Sequence, residues 1–270
     1  MSDYTICNLY SGSGGNCTYI AGAHTRILID AGKSARSLSA ALTGIGADIA
    51  AIDAIFITHE HTDHISALET LSKKHHIPIH AVEGCARSIA RTAPTAAACT
   101  VSHAPDYTVV LGDLTISSFR TSHDSACPVG YRIETPTGEA FGVATDTGIV
   151  TVACARALTG CCGVVLECNH DPEILQNGIY PPSLKARISS RFGHLSNPDC
   201  ARFARYLVDH GTRSLLLAHL SEENNRPDAA MTAVRDAVND PHVFLTVARP
   251  DAPTFLSLYF WAFPTGSKKK

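Results

Sequence analysis

Four metal-capable side chains crowd into six positions of "THEHTDHI", residues 58–65: His59, His61, Asp63 and His64. Imidazole and carboxylate donors suit zinc, manganese or iron, and the lack of thiolates points to a catalytic rather than a purely structural site. Two histidines one residue apart cannot share a helix face. They can turn onto one ion if the segment is an irregular loop leaving a strand, with Asp63 and His64 directed toward a second ion. One loop cannot complete two sites, so further donors are expected at other strand ends. His123, Asp146 and His219 stand there, each just beyond an apolar run: "ISSFRTS", "AFGVAT" and "SLLLA". The edge of a sheet is where ligand-presenting residues belong.

The elements that must position these groups are legible in outline. "TRILIDAG" reads as a strand ending at Asp30, "AIDAIFITH" as a buried strand ending at His59, and "IPIHAV" as another. "HTDHISALETLSKKHH" reads as one helix. "YTVVLGDLTISSFRTSH" and "VGYRIETPTGEAFGVATD" each read as two strands around a turn. "GVVLECN" and "RSLLLAHLS" read as strands separated by helical segments. In "NPDCARFARYLVDHG", Cys200, Phe203, Ala204, Leu207 and Val208 follow helical spacing, with Asn197 as N-cap, Pro198 at the first helical position and Gly211 closing the segment. The alternation is too irregular for a (β/α)8 barrel. It predicts an α/β (α+β) chain in which two sheets pack together with helices outside.

Bulk properties set limits. At 270 residues, 45% hydrophobic and 17% charged, the composition is that of a globular chain with a sizeable core. No apolar run approaches the roughly 18 to 20 residues of a membrane span, and the N-terminus lacks a secretory pattern, so the expected location is cytoplasmic, without a membrane partner. Ten cysteines with no C-x-x-C pair read as packed free thiols in a reducing compartment. A net charge of −3 excludes a global basic field, so any polyanion site must be local. His24, His75, His76, His80, His103, His210 and His242 lack placement at the ends of apolar runs and read as surface or core residues.

Asp30, His59-x-His61-x-Asp63-His64, His123, Asp146 and His219 together resemble, in order, the five motifs of the metallo-β-lactamase-fold hydrolases. The match spans nearly the whole chain and implies a four-layer αββα sandwich. The expected organisation is one such domain over residues 1–265, followed by a flexible basic tail at 266–270. The resemblance implies that His59, His61 and His123 hold one divalent ion and Asp63, His64 and His219 a second, with Asp146 bridging. Asp30 would orient the histidine loop from behind. Two such ions, about 3.5 Å apart, lower the pKa of a bridging water and stabilise both attacking and leaving oxygens. Zinc is the first expectation, with manganese or iron as alternatives.

The stretch between Asp146 and His219 must discriminate among hydrolases. Its order, an acid after a strand (Glu167), a Gly-His-x-Ser before a helix (His194) and a last histidine, resembles the nuclease branches. Together with "SGSGGNCTYI", "SHDSACPVGY", "LECNHD", "YPPSLKARISS" and "HLSEENN", it resembles the YycJ/WalJ branch, whose members are linked to 5′→3′ DNA exonuclease activity. That implies metal-activated hydroxide attack on phosphorus. The candidate catalytic residues are Asp63, His194 and Glu167, with the last two forming an acid–base or phosphate-contacting pair. The expected partner is nucleic acid, DNA ahead of RNA.

Local chemistry favours a phosphate independently. His194 stands at the mouth of a helix, whose first N–H groups are a ready anion site. Residues 185–205 carry five positive side chains against the single acid Asp199. Ser196, Asn197, Lys185, Arg187 and Arg191 are therefore expected phosphate contacts beside His194, although arginines also simply solvate helix faces. His170 in "CNHD" is expected behind the ligands or facing substrate. "SGSGGN" lacks the Lys-Ser/Thr of a P-loop and reads as a tight turn under the metal loop. Rival readings are a thioesterase or lactonase of the glyoxalase II type, and a metal-dependent regulatory or binding protein without turnover.

Overall fold

The computed structural model describes residues 4–257, so the basic tail expected at 266–270 lies outside the described residues. In chain order the first sheet takes β1 (Thr5–Tyr10), β2 (Cys17–Ala21), β3 (Arg26–Ile29), β4 (Ala54–Phe56), β5 (Ile79–Val82) and β6 (Thr100–His103). The second takes β7 (Thr108–Leu111), β8 (Leu114–Arg120), β9 (Val129–Glu134), β10 (Ala140–Ala144), β11 (Gly163–Glu167), β12 (Ser214–Ala218) and β13 (Phe244–Val247). A short β14 (Thr254–Phe255) returns to pair with β1, giving two seven-stranded sheets of order β14-β1-β2-β3-β4-β5-β6 and β13-β12-β11-β10-β9-β8-β7. Helices α1 (Ala35–Gly44), α2 (Thr62–Ile65), α3 (Leu68–His75), α4 (Glu83–Thr92) and α5 (Pro94–Ala97) follow the strands of the first sheet. Helices α6 (Val152–Leu158), α7 (Pro172–Asn177), α8 (Pro182–Ile188), α9 (Asn197–Asp209) and α10 (Pro227–Val238) follow those of the second.

Strand parity explains the layers. In β3, Ile27 and Ile29 face the other sheet while Leu28 faces the helices; in β12, Leu216 and Ala218 face the other sheet while Leu215 and Leu217 face α9 and α10. Strands buried on both faces read as unbroken apolar runs, which is what "RILI" and "SLLLA" are. Three cores result, one between the sheets and one under each helical layer, and this is the expected αββα sandwich. β3 to β6 run parallel, as do β10 to β13, so the loops that follow β3, β4, β10, β11 and β12 emerge at strand C-termini. Ligands in open parallel sheets collect at that edge.

Two details correct the sequence reading. The single helix expected after His61 is two, α2 and α3, interrupted at Ser66–Ala67, where the Ala67 N–H bonds back to the Ala31 carbonyl. The long helix α9 is capped by Ser196, whose hydroxyl accepts from the Asp199 N–H, so Asn197 is its first residue and not its cap. Among the described residues, no helix is long and apolar enough to cross a membrane. All ten cysteines are free.

Away from the strand ends, Phe56, His80, His103 and Tyr107 form a ladder of stacked rings, with centroids 4.6, 5.1 and 4.0 Å apart. His80 Nδ1 and His103 Nε2 lie 2.9 Å apart, a hydrogen bond that needs one ring to accept. Burial, then the neighbouring imidazole, holds His80 down at about 4 against the usual 6.5. A depressed histidine favours the fold in its neutral form. Its contribution is complete above pH 6.5 and is lost as pH falls toward 4. Urea unfolding of His80→Phe should therefore show a shallower decline than wild type across this window; parallel declines would remove His80 from the acid sensitivity.

Candidate metal centre

Seven of the expected ligands converge where the two sheets meet. His59 and His61 arrive from the loop after β4 and Asp63 and His64 from α2, which follows it, while His123, Asp146 and His219 follow β8, β10 and β12. Donor atoms of His59, His61 and His123 lie within 4.8 Å of one another, as do those of His59, His64 and Asp146, and those of Asp63, His64 and His219. Asp146 is the hub: its carboxylate lies 3.4 Å from His64 Nε2, 3.5 Å from His219 Nε2, and 3.8 Å from both His123 Nε2 and His194 Nδ1.

Each inner imidazole is steered from behind. His64 Nδ1 meets Asp30 Oδ2 at 2.8 Å, and Asp30 is itself fixed by the Thr58 N–H and hydroxyl, both at 2.8 Å. His123 Nδ1 donates to the Gly193 carbonyl at 2.9 Å. His219 Nδ1 meets Glu167 Oε1 at 3.0 Å, and His59 Nδ1 meets the Thr58 hydroxyl at 3.0 Å. With one ring nitrogen engaged outside, the other is left facing the cluster, as a metal requires. Asp146 Oδ2 and His219 Nε2 are buried without a hydrogen-bond partner, a costly state that a cation at the cluster would relieve. Against the cost of burial, the charges of Asp146 and Asp30 hold His64 up at about 10. This carboxylate-rich pocket draws positive charge, and its donor set fits divalent metal ions.

The backbone is bent to make this arrangement. Asp30, Asp146 and His219 all adopt left-handed conformations, at φ of 63°, 56° and 56°, within two residues of the ends of their strands. Such residues cost of order 1–3 kcal/mol each and concentrate at functional sites. Gly32 lets the loop after β3 press on the histidine loop. A Cβ there would lie 1.6 Å from the Asp63 carbonyl oxygen.

Glu167 and His194 join the cluster from its other side. Fully buried Glu167 accepts from His194 Nδ1 at 2.7 Å and from His219 Nδ1 with Oε1, and from the Thr147 and Leu195 N–H groups with Oε2. Both oxygens are thereby committed to protein. Burial opposes the charge on Glu167, but His194 and its other donors outweigh this and hold it well below the usual carboxylate range. His194 nevertheless falls within ligand spacing of Asp146, Glu167 and His219. Distance alone therefore does not separate it from the metal ligands.

The expected phosphate contacts fare differently. Asn197 is 1% exposed and bonds Asn225, while Ser196 caps α9 and binds Asp199. The Asn197 N–H goes to the His170 carbonyl, so the mouth of α9 is closed to an anion. Lys185 reaches the Gln176 carbonyl, and Arg187 pairs with Asp124 at 2.5 Å. Arg191 lies over the Phe192 ring. His170 is buried at 3% exposure, as deeply as the expected metal ligands His123 and His219, and its Nδ1 has no hydrogen-bond partner among the described residues.

Three polar residues in stretches already singled out escaped assignment. Asn16 Nδ2 lies 3.1 Å from His64 Nε2 and 3.3 Å from Asp63 Oδ2. The Ser11 hydroxyl accepts from the His219 N–H, and Asn169 donates to the His219 carbonyl. The turn "SGSGGN" does sit against the metal loop, since the Asn16 N–H bonds the Asp63 carbonyl at 2.8 Å.

Residues 25–220 match the family described as the beta-lactamase superfamily domain. The chain is 36% identical over 230 residues to the exodeoxyribonuclease WalJ of Streptococcus pneumoniae, covering 84% of this chain and 85% of that protein. It is 33% identical over 235 residues to the exodeoxyribonuclease YycJ of Bacillus anthracis, covering 86% and 88%. Among solved structures, the metallo-beta-lactamase fold protein YhfI of Bacillus subtilis superposes with a TM-score of 0.70 at 16% identity, covering 93% of this chain and 99% of that one.

Two outcomes follow from this geometry. Gly32→Ala should displace the histidine loop and weaken metal binding roughly 10- to 100-fold in chelator competition, the size of a lost supporting contact; unchanged affinity would show that the loop tolerates the shift. In chelated protein, Asp146→Gly should be more stable to urea than Asp146→Ala by about 1 kcal/mol, because only glycine is unstrained at that φ. Equal midpoints would argue against strain.

Proposed function

The chain belongs to the β-lactamase superfamily, in the branch of the WalJ and YycJ exodeoxyribonucleases, and from that premise we propose that it is a metal-dependent phosphodiesterase removing nucleotides from a DNA end, in the 5′→3′ direction. The observation that carries this reading is the pair formed by His194 and Glu167. One imidazole, its side chain 19% exposed, is held at 2.7 Å by a fully buried carboxylate and stands 3.8 Å from the Asp146 hub. That is a proton donor for a leaving oxygen, set beside a metal cluster.

In this reading His59, His61 and His123 would hold one ion and Asp63, His64 and His219 another, with Asp146 available to both. Bound divalent ions, zinc first and manganese or iron next, supply Lewis-acid stabilisation of phosphate charge and make water nucleophilic at neutral pH. Glu167 positions rather than reacts. It keeps the proton on His194 Nδ1, which leaves Nε2 to protonate the departing oxygen or to hold a phosphate oxygen. It also fixes His219 in the tautomer a ligand needs. Asp30 does the same for His64 through Nδ1. The names of the two relatives favour DNA over RNA. Ten free thiols suit a reducing compartment such as the cytoplasm.

A digestion panel tests the reading: end-labelled duplex DNA, single-stranded DNA, RNA and an acyl thioester, with metal-replete protein. DNA should be shortened from its 5′ end, and His61→Ala should abolish turnover. His194→Ala should slow it by roughly 100-fold or more with metal content unchanged. Thioester hydrolysis with DNA left intact would overturn the phosphodiesterase reading, and stoichiometric metal loss in His194→Ala would make that residue a ligand.

A further inference from the structure

The loop between α8 and α9 carries an aromatic side chain that the proposed chemistry does not use. Phe192 is 50% exposed, two residues before His194 and next to Gly193, whose carbonyl fixes His123. Single exposed apolar side chains are ordinary on a protein surface, but this one sits in the loop that carries the proposed proton donor His194 and the carbonyl that fixes His123.

The backbone beneath it is held from three sides. The Ser122 hydroxyl donates to the Arg191 carbonyl at 2.8 Å, and the Gly148 N–H donates to the Ser122 carbonyl at 2.8 Å. Gly148 packs so closely that a Cβ there would lie 2.4 Å from the Ser190 carbonyl oxygen and 2.5 Å from that of Arg191. The His194 N–H returns to the Ile188 carbonyl at 2.9 Å, and a Cβ on Gly193 would meet that same oxygen at 2.1 Å. Phe192 is thus carried on a rigid turn whose neighbours hold His123 and His194. Its ring is also oriented, because the Arg191 guanidinium lies 5.1 Å from the ring centroid.

Resting on the nuclease reading above, we propose that Phe192 is the stacking platform for the nucleobase adjoining the phosphodiester to be cut. A flat ring on a rigid loop, with a guanidinium against it, matches what single-stranded nucleic acid offers: a π-face on every base and a phosphate beside it. Stacking of this kind is indifferent to sequence, which suits an enzyme digesting arbitrary ends, and is worth roughly 5- to 100-fold per base in binding or rate.

The test is a cycle between protein and substrate. Single-turnover cleavage is compared for an oligonucleotide and for its analogue with a tetrahydrofuran abasic residue in place of the nucleotide beside the scissile bond. Wild-type protein should cut the abasic analogue roughly 5- to 100-fold more slowly. Phe192→Ala should slow the intact substrate by that factor and largely abolish the difference between the two, and Phe192→Trp should restore it. Equal cleavage of both substrates by wild type, or a full abasic penalty persisting in Phe192→Ala, overturns the proposal. Wild-type protein that hydrolyses bis(p-nitrophenyl) phosphate but no oligonucleotide would instead overturn the nucleic-acid reading on which it rests.

Discussion

A buried carboxylate surrounded by imidazoles organises this molecule. Asp146 is 3% exposed, lies within 3.8 Å of four histidine rings, and has one oxygen with no hydrogen-bond partner. A buried carboxylate is costly unless positive charge stands beside it, so the site draws positive charge to its centre. The residues that answer this come from both sheets: His64 from the first, and His123, His194 and His219 from the second. The centre is therefore a seam. Whatever occupies it ties the two halves of the sandwich together, and the inter-sheet core of Ile27, Phe56, Val143 and Leu216 brings the halves close enough for it to form.

The surrounding residues make that centre rigid at a cost spread over the strand ends. Three ligand-side residues sit at left-handed φ, and Gly32 gives up its side chain so that the loop after β3 can support the one after β4. Asp30, Glu167, Thr58 and the Gly193 carbonyl each bind the far nitrogen of a ring rather than the near one. These contacts select tautomers, and a set of preselected tautomers loses less freedom on taking up an ion. The strain and the support are two sides of one arrangement: strands that end on a common edge can aim side chains at one point only by turning sharply.

The main features were legible in the sequence because both signals involved are local. Unbroken apolar runs mark strands buried on two faces, and a polar metal-capable residue just after such a run marks a ligand position. That is how Asp30, His123, Asp146 and His219 stood out. What was not legible depended on a small shift or on a distant partner. Ser196 and Asn197 can both cap a helix, and placing the start one residue off turns Asn197 through about 100°. That shift converts an expected phosphate contact into a buried amide bonded to Asn225. The break at Ser66–Ala67 is imposed by the Ala31 carbonyl, some 36 residues upstream (67 − 31), and leaves no mark on the local periodicity. Asn16 and Ser11 act on His64 and His219 across the fold, so the glycine-rich turn showed only that it was a turn.

The fate of the basic side chains bears on how a polyanion would be held. Arg187 is committed to Asp124, Arg202 to Asp199, Arg205 to Asp209 and Lys185 to a backbone carbonyl. With a net charge of −3 there is no broad field to attract DNA, and the mouth of α9 has spent its N–H groups on His170 and Ser196. In the proposed nuclease, phosphate charge would then be met chiefly at the metal centre, with Arg191 beside Phe192 as a local cation and the stacked base supplying contact that does not depend on charge. In that reading an end would be recognised by one phosphate at the metal centre and one base on a rigid ring, without the long electrostatic footprint that gives duplex-binding proteins their steep salt dependence.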